Sequence, residues 1–240
     1  MRTEETVRRV FADLERRYGA SFRRNPGTAL ARVTAETEDP FRVLISTILS
    51  QRTRDEKTEE ASARLFAKYR TPDAIANAPL ADLVNRIRPV GFYRRKAAKL
   101  REVSRILLRD FGGRVPDAYD DLVSLPQVGP KTANCVLVYG FGKPAIPVDV
   151  HVAVISRRLG LAPEGAREEE VEEHLVRVVP RDLWLELNER FVRFGKEVCR
   201  TSFPRCEVCT FTSFCRWFRR NRGRPPSGPL RADRASRRRR

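Results

Sequence analysis

The sequence contains no run approaching the roughly 18 apolar residues that a membrane-spanning helix needs, and its N-terminal segment is broken by Arg2, Arg8 and Arg9 with no apolar core behind it. Neither a transmembrane segment nor a secretory leader fits, so the reading is of a soluble intracellular protein, cytoplasmic or on the nucleoid, with no membrane partner. Histidine is scarce. Only His151 and His174 occur, and a lone histidine is by default a hydrogen-bonded core residue. Cysteine is sparse and unevenly spread: Cys199, Cys206, Cys209 and Cys215 crowd into one segment while Cys135 stands apart. An odd total in a reducing compartment argues against a disulfide framework and for metal ligation. The 240 residues suffice for ordinary hydrophobic cores without such staples. Cys135 reads as a small core residue. No convincing alternating pattern marks a strand.

Acidic residues are outnumbered 31 to 48 by Lys and Arg, giving a formal net charge of +17. Such an excess points to a polyanion, most simply nucleic acid, because cationic side chains release counterions from phosphates. The C-terminal stretch, with Pro225, Pro226, Gly228 and the run Arg237 to Arg240, is expected to be disordered and to attract polyanions without forming a folded site.

Helical periodicity dominates. Val7, Val10, Phe11, Leu14 and Tyr18 share one face after Thr3 and the acidic pair Glu4 and Glu5, and Asp39-Pro40 and Thr71-Pro72 are cap-then-proline helix starts. Phe41, Leu44, Ile45, Ile48 and Leu49 form the next apolar face, Leu100, Val103, Ile106 and Leu107 another, and the pattern returns over residues 171–179 and 183–194. Gly91 and the pair Gly112-Gly113 end helices. The predicted fold class is all-α, with irregular structure concentrated at residues 126–130, 144–150 and in the cysteine region.

Leu125-Pro126-Gln127-Val128-Gly129-Pro130-Lys131 reads as a helix end, a tight turn and a new helix with proline at its first position, a helix-hairpin-helix pattern. Amides at such a helix start lack intrahelical partners and suit a DNA phosphate. Lys131 is a cation in the first turn, where the helix field is unfavourable to it and favours the neutral amine that a nucleophile requires. Asp149, within Pro147-Val148-Asp149-Val150-His151, is either the N-cap of the helix that follows or a carboxylate for proton transfer and charge stabilisation. The spacing Cys199-x6-Cys206-x2-Cys209-x5-Cys215 admits four-cysteine zinc or a 4Fe-4S cluster, and the wide outer gaps lean towards iron and sulfur. Arg200, Arg205, Arg216 and Arg219 surround these cysteines and would offer positive charge to DNA.

Taken together, Leu125-Pro126-x-Val128-Gly129-x-Lys131-Thr132-Ala133-Asn134, Val148-Asp149-x-His151 and the cysteine loop resemble the endonuclease III family over roughly residues 30 to 216. The resemblance implies a two-domain helix-hairpin-helix glycosylase: a six-helix barrel over 36–146, an iron-sulfur domain over 1–35 with 147–216, and a basic tail over 217–240. It implies a monomeric base-excision repair enzyme acting on double-stranded DNA that carries a damaged base or abasic site. By resemblance, Lys131 attacks the sugar of a flipped, oxidised pyrimidine, Asp149 assists, and β-elimination cleaves the abasic site; Cys199, Cys206, Cys209 and Cys215 hold the 4Fe-4S cluster. Gln51 and Arg52 match the loop that fills the gap left by the base, Phe92 the wedge in the opposite strand, and Gln127, Val128, Gly129 and His151 further DNA contacts. Three positions depart from the pattern: Arg52 falls where glutamine is usual, Gln127 where the first hairpin glycine is usual, and Val154 where arginine is common. Two other readings stay open: a monofunctional mismatch glycosylase, acting on thymine, uracil or adenine, and a non-catalytic hairpin module in which Lys131 only touches phosphate.

Overall fold

A computed structural model describes residues 3–22, 32 and 39–221. Among them every regular element is helical and there is no strand, and no helix is long and apolar enough to cross a membrane. The chain divides into two compact units, one continuous (Phe22–Pro147) and one assembled from Met1–Ser21 and Val148–Arg240.

The continuous unit is built around α2 (Pro40–Ser50). Asp39 caps it, its carboxylate accepting from the Phe41 N–H at 2.9 Å, and Pro40 supplies the preset φ of a first helical turn. Residues 43 to 49 of α2 are all buried. A helix apolar on all sides belongs at the centre of a bundle, and α2 packs against α3 (Asp55–Phe66), α6 (Tyr93–Asp110) and α8 (Pro130–Phe141). The short helices α4 (Pro72–Ala76) and α5 (Leu80–Arg86) lie on α6, and α7 (Tyr119–Ser124) lies on α8. Thr71 caps α4 through a bond from the Ala74 N–H at 3.1 Å, as its Thr-Pro start requires. On α6, Leu100, Val103 and Leu107 are fully buried while Ile106 is only partly so. The helix ends where Gly112 and Gly113 take positive φ, Gly113 bonding back to the Leu107 carbonyl at 2.8 Å. The expectation that Gly91 ends a helix is corrected: α5 already stops at Arg86, and Gly91 lies in the turn between α5 and α6.

The discontinuous unit joins α1 (Thr3–Phe22) to α9 (Val150–Leu159), α10 (Glu168–Val178), α11 (Trp184–Glu197) and α12 (Arg216–Arg220). The α1 face Val7, Val10, Phe11, Leu14 and Tyr18 is buried as its periodicity predicts. Phe11 lies 6.1 Å from the ring of Phe191 on α11. Buried Arg190 of α11 pairs with Glu15 of α1 at 2.5 Å and with Glu186, so a charge placed in the core is matched by two carboxylates. Residues 217–220 belong to α12 and not to a tail; the remainder of the tail assignment falls on 222–240, outside the described residues.

One carboxylate fastens α5 to the end of α3. Asp82 accepts from the Tyr69 hydroxyl at 2.5 Å, Lys68 at 3.0 Å and Arg86 at 3.2 Å. The tyrosine bond, then the two cations, hold its carboxyl well below the ordinary value of 3.8. A folded-state pKa below the unfolded one means that the contribution is complete above about pH 4 and is lost as pH falls further. In acid titrations of unfolding free energy, wild type should therefore fall more steeply below pH 4 than Asp82→Asn, and parallel curves would remove Asp82 from the account.

Candidate active site and cysteine centre

The hairpin runs from α7 through residues 125–129 into α8. Val128 closes the turn onto the Leu125 carbonyl at 3.1 Å and is buried, while Gly129 is exposed. Gln127, just before Val128, has φ +68°, in the left-handed region that disfavours side chains, which accounts physically for a glycine at this position in the family pattern. Gly129 is the N-cap of α8 and offers no side chain to the first amides of the helix, and Pro130 has no N–H at all. The helix start is thus open to an anion, with the positive end of the dipole behind it.

Lys131 is the second residue of α8 and is exposed; among the described residues its ammonium has neither a hydrogen bond nor an ion pair. The next eight residues, Thr132 to Tyr139, are buried, and Cys135 lies one turn behind Lys131 as a core residue.

Gln51 and Arg52 part company. The Gln51 amide donates to the Gln127 carbonyl at 2.8 Å and to the Thr132 hydroxyl at 3.3 Å, fastening the end of α2 to the hairpin. Arg52 is exposed, with φ +52°. Phe92 likewise has φ +56° and stands 62% exposed at the start of α6, on the surface and not in the core. A large apolar side chain left in water on a strained backbone marks a position retained for something other than stability.

In the other unit, Asp149 is the N-cap of α9: its Oδ1 accepts from the His151 and Val152 N–H groups, both at 2.9 Å. Oδ2 accepts from none of the described residues. Lys131 and Asp149 therefore stand at the starts of two helices in separate units. His151 is half-buried, its ring lying against Gly195 of α11, where an added Cβ would come within 2.5 Å of Nδ1 and 2.8 Å of the His151 Cβ. Val154 is buried on α9, so the departure from arginine there puts an apolar residue into the core.

The four cysteines Cys199, Cys206, Cys209 and Cys215 line one cavity with Arg158, Val198 and Trp217. Burial pushes all four thiols upward, Cys209 to about 11, so four thiolates here require compensating positive charge. Hydrogen-bond donors already face the sulfurs. Arg158 Nη1 donates to Cys199 Sγ at 3.3 Å and the Phe211 N–H to Cys209 Sγ at 3.4 Å. This donor set, soft thiols with N–H groups behind them, fits a cysteine-ligated metal centre. Among the described residues no three His, Cys, Asp or Glu converge as they would around a single ion.

Arg158 went unnoticed in the sequence. It is 4% exposed, donates to the carbonyls of Arg200 at 2.7 Å and Thr201 at 2.9 Å, and lies 5.0 Å over the Trp217 ring. It carries the cysteine loop. Of the surrounding arginines, Arg216 packs over Gly160 and Arg219 bonds the Ser213 carbonyl at 2.6 Å, whereas Arg200 and Arg205 are exposed.

Residues 45–181 match the HhH-GPD superfamily of base excision DNA repair proteins. The chain is 52% identical to endonuclease III of Thermotoga maritima over 182 residues, 76% of this chain and 85% of that protein. It superposes with TM-score 0.81 and 33% identity on a trapped endonuclease III–DNA covalent intermediate, covering 92% of this chain and 99% of the other. A thermostable thymine-DNA glycosylase is also similar, with TM-score 0.75 and 26% identity over 90% and 98% of the two chains. By class this is a helix-hairpin-helix base-excision repair protein, and within that class the chain belongs to the endonuclease III family.

The contact of His151 with Gly195 yields a test. Gly195→Ala gains at most about 1 kcal/mol of helix propensity, whereas overpacking against the His151 Cβ costs about 1–3 kcal/mol. The variant should lose stability in urea titration; an unchanged midpoint would show that α9 can move off α11 freely.

Proposed function

We propose that Lys131 is the nucleophile of a bifunctional DNA glycosylase and abasic-site lyase, with Asp149 as its carboxylate partner. Membership of the endonuclease III family makes the chain a base-excision repair enzyme acting on DNA. The observation that carries the assignment within it is the exposed, unpaired ammonium of Lys131 immediately behind a helix start open to phosphate.

A phosphate on the α8 amides sets the strand in place without reading its sequence. The neutral Lys131 amine adds to the sugar C1′ of an extruded nucleotide as the glycosidic bond breaks, and the base leaves with the bonding electrons and takes up a proton. Opening of the sugar ring gives a Schiff base. Loss of a C2′ proton then expels the 3′ phosphate by β-elimination, and hydrolysis frees the lysine. Asp149 Oδ1 is committed to capping α9, which fixes the carboxylate and leaves Oδ2 to stabilise positive charge on the sugar and to accept a proton. Arg52 and Phe92 take the gap-filling and wedging roles, and Val128, Gly129 and Gln127 line the phosphate turn. The His151 N–H is taken by Asp149 Oδ1, so its backbone contributes by holding that carboxylate. On this reading Phe22–Pro147 is the barrel domain and the discontinuous unit the cluster domain. The oxidised pyrimidine remains the favoured substrate; the likeness to a thymine-DNA glycosylase makes a thymine mismatch the second one to assay.

The cysteine cavity would hold a 4Fe-4S cluster on Cys199, Cys206, Cys209 and Cys215, supported by the single short cysteine pair and the N–H donors facing sulfur. Those four cysteines would hold the cluster as thiolates, and it would supply the positive charge that offsets them and so order the loop, a structural contribution.

Borohydride should trap a covalent complex between the wild type and an abasic duplex, and Lys131→Ala should abolish it while retaining DNA binding. Base release without trapping would establish a monofunctional enzyme, and binding alone a non-catalytic module. Wild type should purify brown with iron and sulfide. Arg158→Met should retain less iron; a colourless, zinc-containing wild type would overturn the cluster assignment.

A further inference from the structure

Lys96, in the first turn of α6, is a charge that the proposed chemistry does not use. It is 4% exposed and has no carboxylate partner among the described residues. Its ammonium donates to the Leu49 carbonyl at 2.8 Å, the Gln51 carbonyl at 2.6 Å and the Thr53 hydroxyl at 3.1 Å. Three protons meet three oxygens. Two of those oxygens are main-chain carbonyls at the C-terminal end of α2, where the helix leaves acceptors unpaired and its dipole favours a cation. Burial pushes the Lys96 pKa down to about 8, so the amine is held here against a cost that an apolar residue would not incur.

The network continues beyond Lys96. The Thr53 hydroxyl donates to the Gln51 carbonyl at 3.2 Å and accepts from the Gly91 N–H at 3.3 Å. Gly91 approaches so closely that a Cβ there would lie 3.1 Å from the Arg52 carbonyl oxygen. One ammonium thus closes a web joining the loop that carries Arg52 to the loop that carries Phe92. Both exposed residues hold positive φ, at +52° and +56°. Neither conformation is one that such residues adopt unaided, so the surroundings must impose both.

We infer that Lys96 is a positioning residue for base extrusion: by tying the end of α2 to the 90–93 turn it presets Arg52 and Phe92 as one rigid pair for entry into the duplex. The inference rests on the roles given to those two residues above. Without the ammonium, the Leu49 carbonyl loses this donor and the Gln51 carbonyl keeps only the longer bond from the Thr53 hydroxyl; the loop from Gln51 to Arg54 relaxes, and the pair must be ordered at the moment of binding. Preorganisation of this kind acts on the step that unstacks the base and leaves the later sugar chemistry alone.

The test compares two substrates. One is a duplex with an oxidised pyrimidine, which must be extruded; the other carries an abasic site within a bulge, already unstacked. Lys96→Met, similar in length and without a donor, should slow single-turnover base excision on the order of 100-fold and suppress the fluorescence rise of 2-aminopurine beside the lesion. Cleavage of the bulged abasic site should change by less than about 5-fold, measured on protein whose circular dichroism and melting are those of a folded chain. Thr53→Val, which removes the hub hydroxyl and keeps Lys96, should shift the same ratio in the same direction by a smaller factor. It serves as the test should Lys96→Met not fold. Equal loss on both substrates, or an unchanged ratio in the folded variant, would reduce Lys96 to a structural residue. If wild type excises no base at all, the proposed function fails instead, and borohydride trapping separates that case.

Discussion

The main-chain groups left unpaired at helix ends are the constraint around which this protein is organised. An all-helical chain has many ends, and each exposes amides or carbonyls that need partners. Here the ends carry nearly everything of functional interest. The start of α8 leaves its amides without a side-chain cap and puts Lys131 beside them. The start of α9 is satisfied by Asp149, which is thereby oriented. The end of α2 is satisfied by Lys96, and the start of α6 displays Phe92. Irregular backbone at these points is not loose: each turn is tied by a side chain that reaches a carbonyl or an amide.

Three buried cations do much of that tying, and each meets the cost of burial differently. Arg190 lies between Glu15 and Glu186, an ordinary charge pairing. Lys96 is met by three oxygen dipoles and, among the described residues, by no carboxylate. Arg158 donates to carbonyls and a cysteine sulfur while its flat face rests on Trp217, a geometry suited to the fork of a guanidinium and unsuited to an ammonium. Substitution at any of them exposes acceptors inside the protein, which makes them more sensitive positions than the many surface arginines that give the chain its charge.

Local signals carried the sequence reading a long way. Cap-and-proline pairs located α2 and α4, apolar periodicity located α1, α6 and α11, and the hairpin and cysteine spacings are local patterns that depend on few neighbours. What was not legible depended on contacts distant along the chain. Arg158 reads as one more basic residue in a last helical turn, because its partners lie more than forty positions on. Lys96 is one of several cations at the start of α6, and only folding shows which is buried. Gln51 and Arg52 are adjacent and both polar, yet the left-handed turn between helices sends one to the hairpin and the other to solvent. Phe92 could equally have been core by composition; its positive φ and its exposure are properties of the fold. Gly195 carried a readable clue, since glycine inside a helix marks a close approach, but not the identity of what approaches.

The interleaving of the two units sets an order on their assembly. Phe22–Pro147 is continuous and the helices packed on its central helix all lie within it, so it can form as soon as it leaves the ribosome. The apolar face of α1 has no such neighbours: Phe11 and Glu15 wait for Phe191 and Arg190, some 175 residues later. A nascent chain therefore displays the hairpin and Lys131 well before the unit carrying Asp149 can close, and a transiently exposed helix must be kept from wrong partners meanwhile. The highly charged exterior of α1, with Arg8, Arg9, Arg16 and Arg17 balanced by Glu4, Glu5, Asp13 and Glu15, is suited to keeping it soluble during the wait.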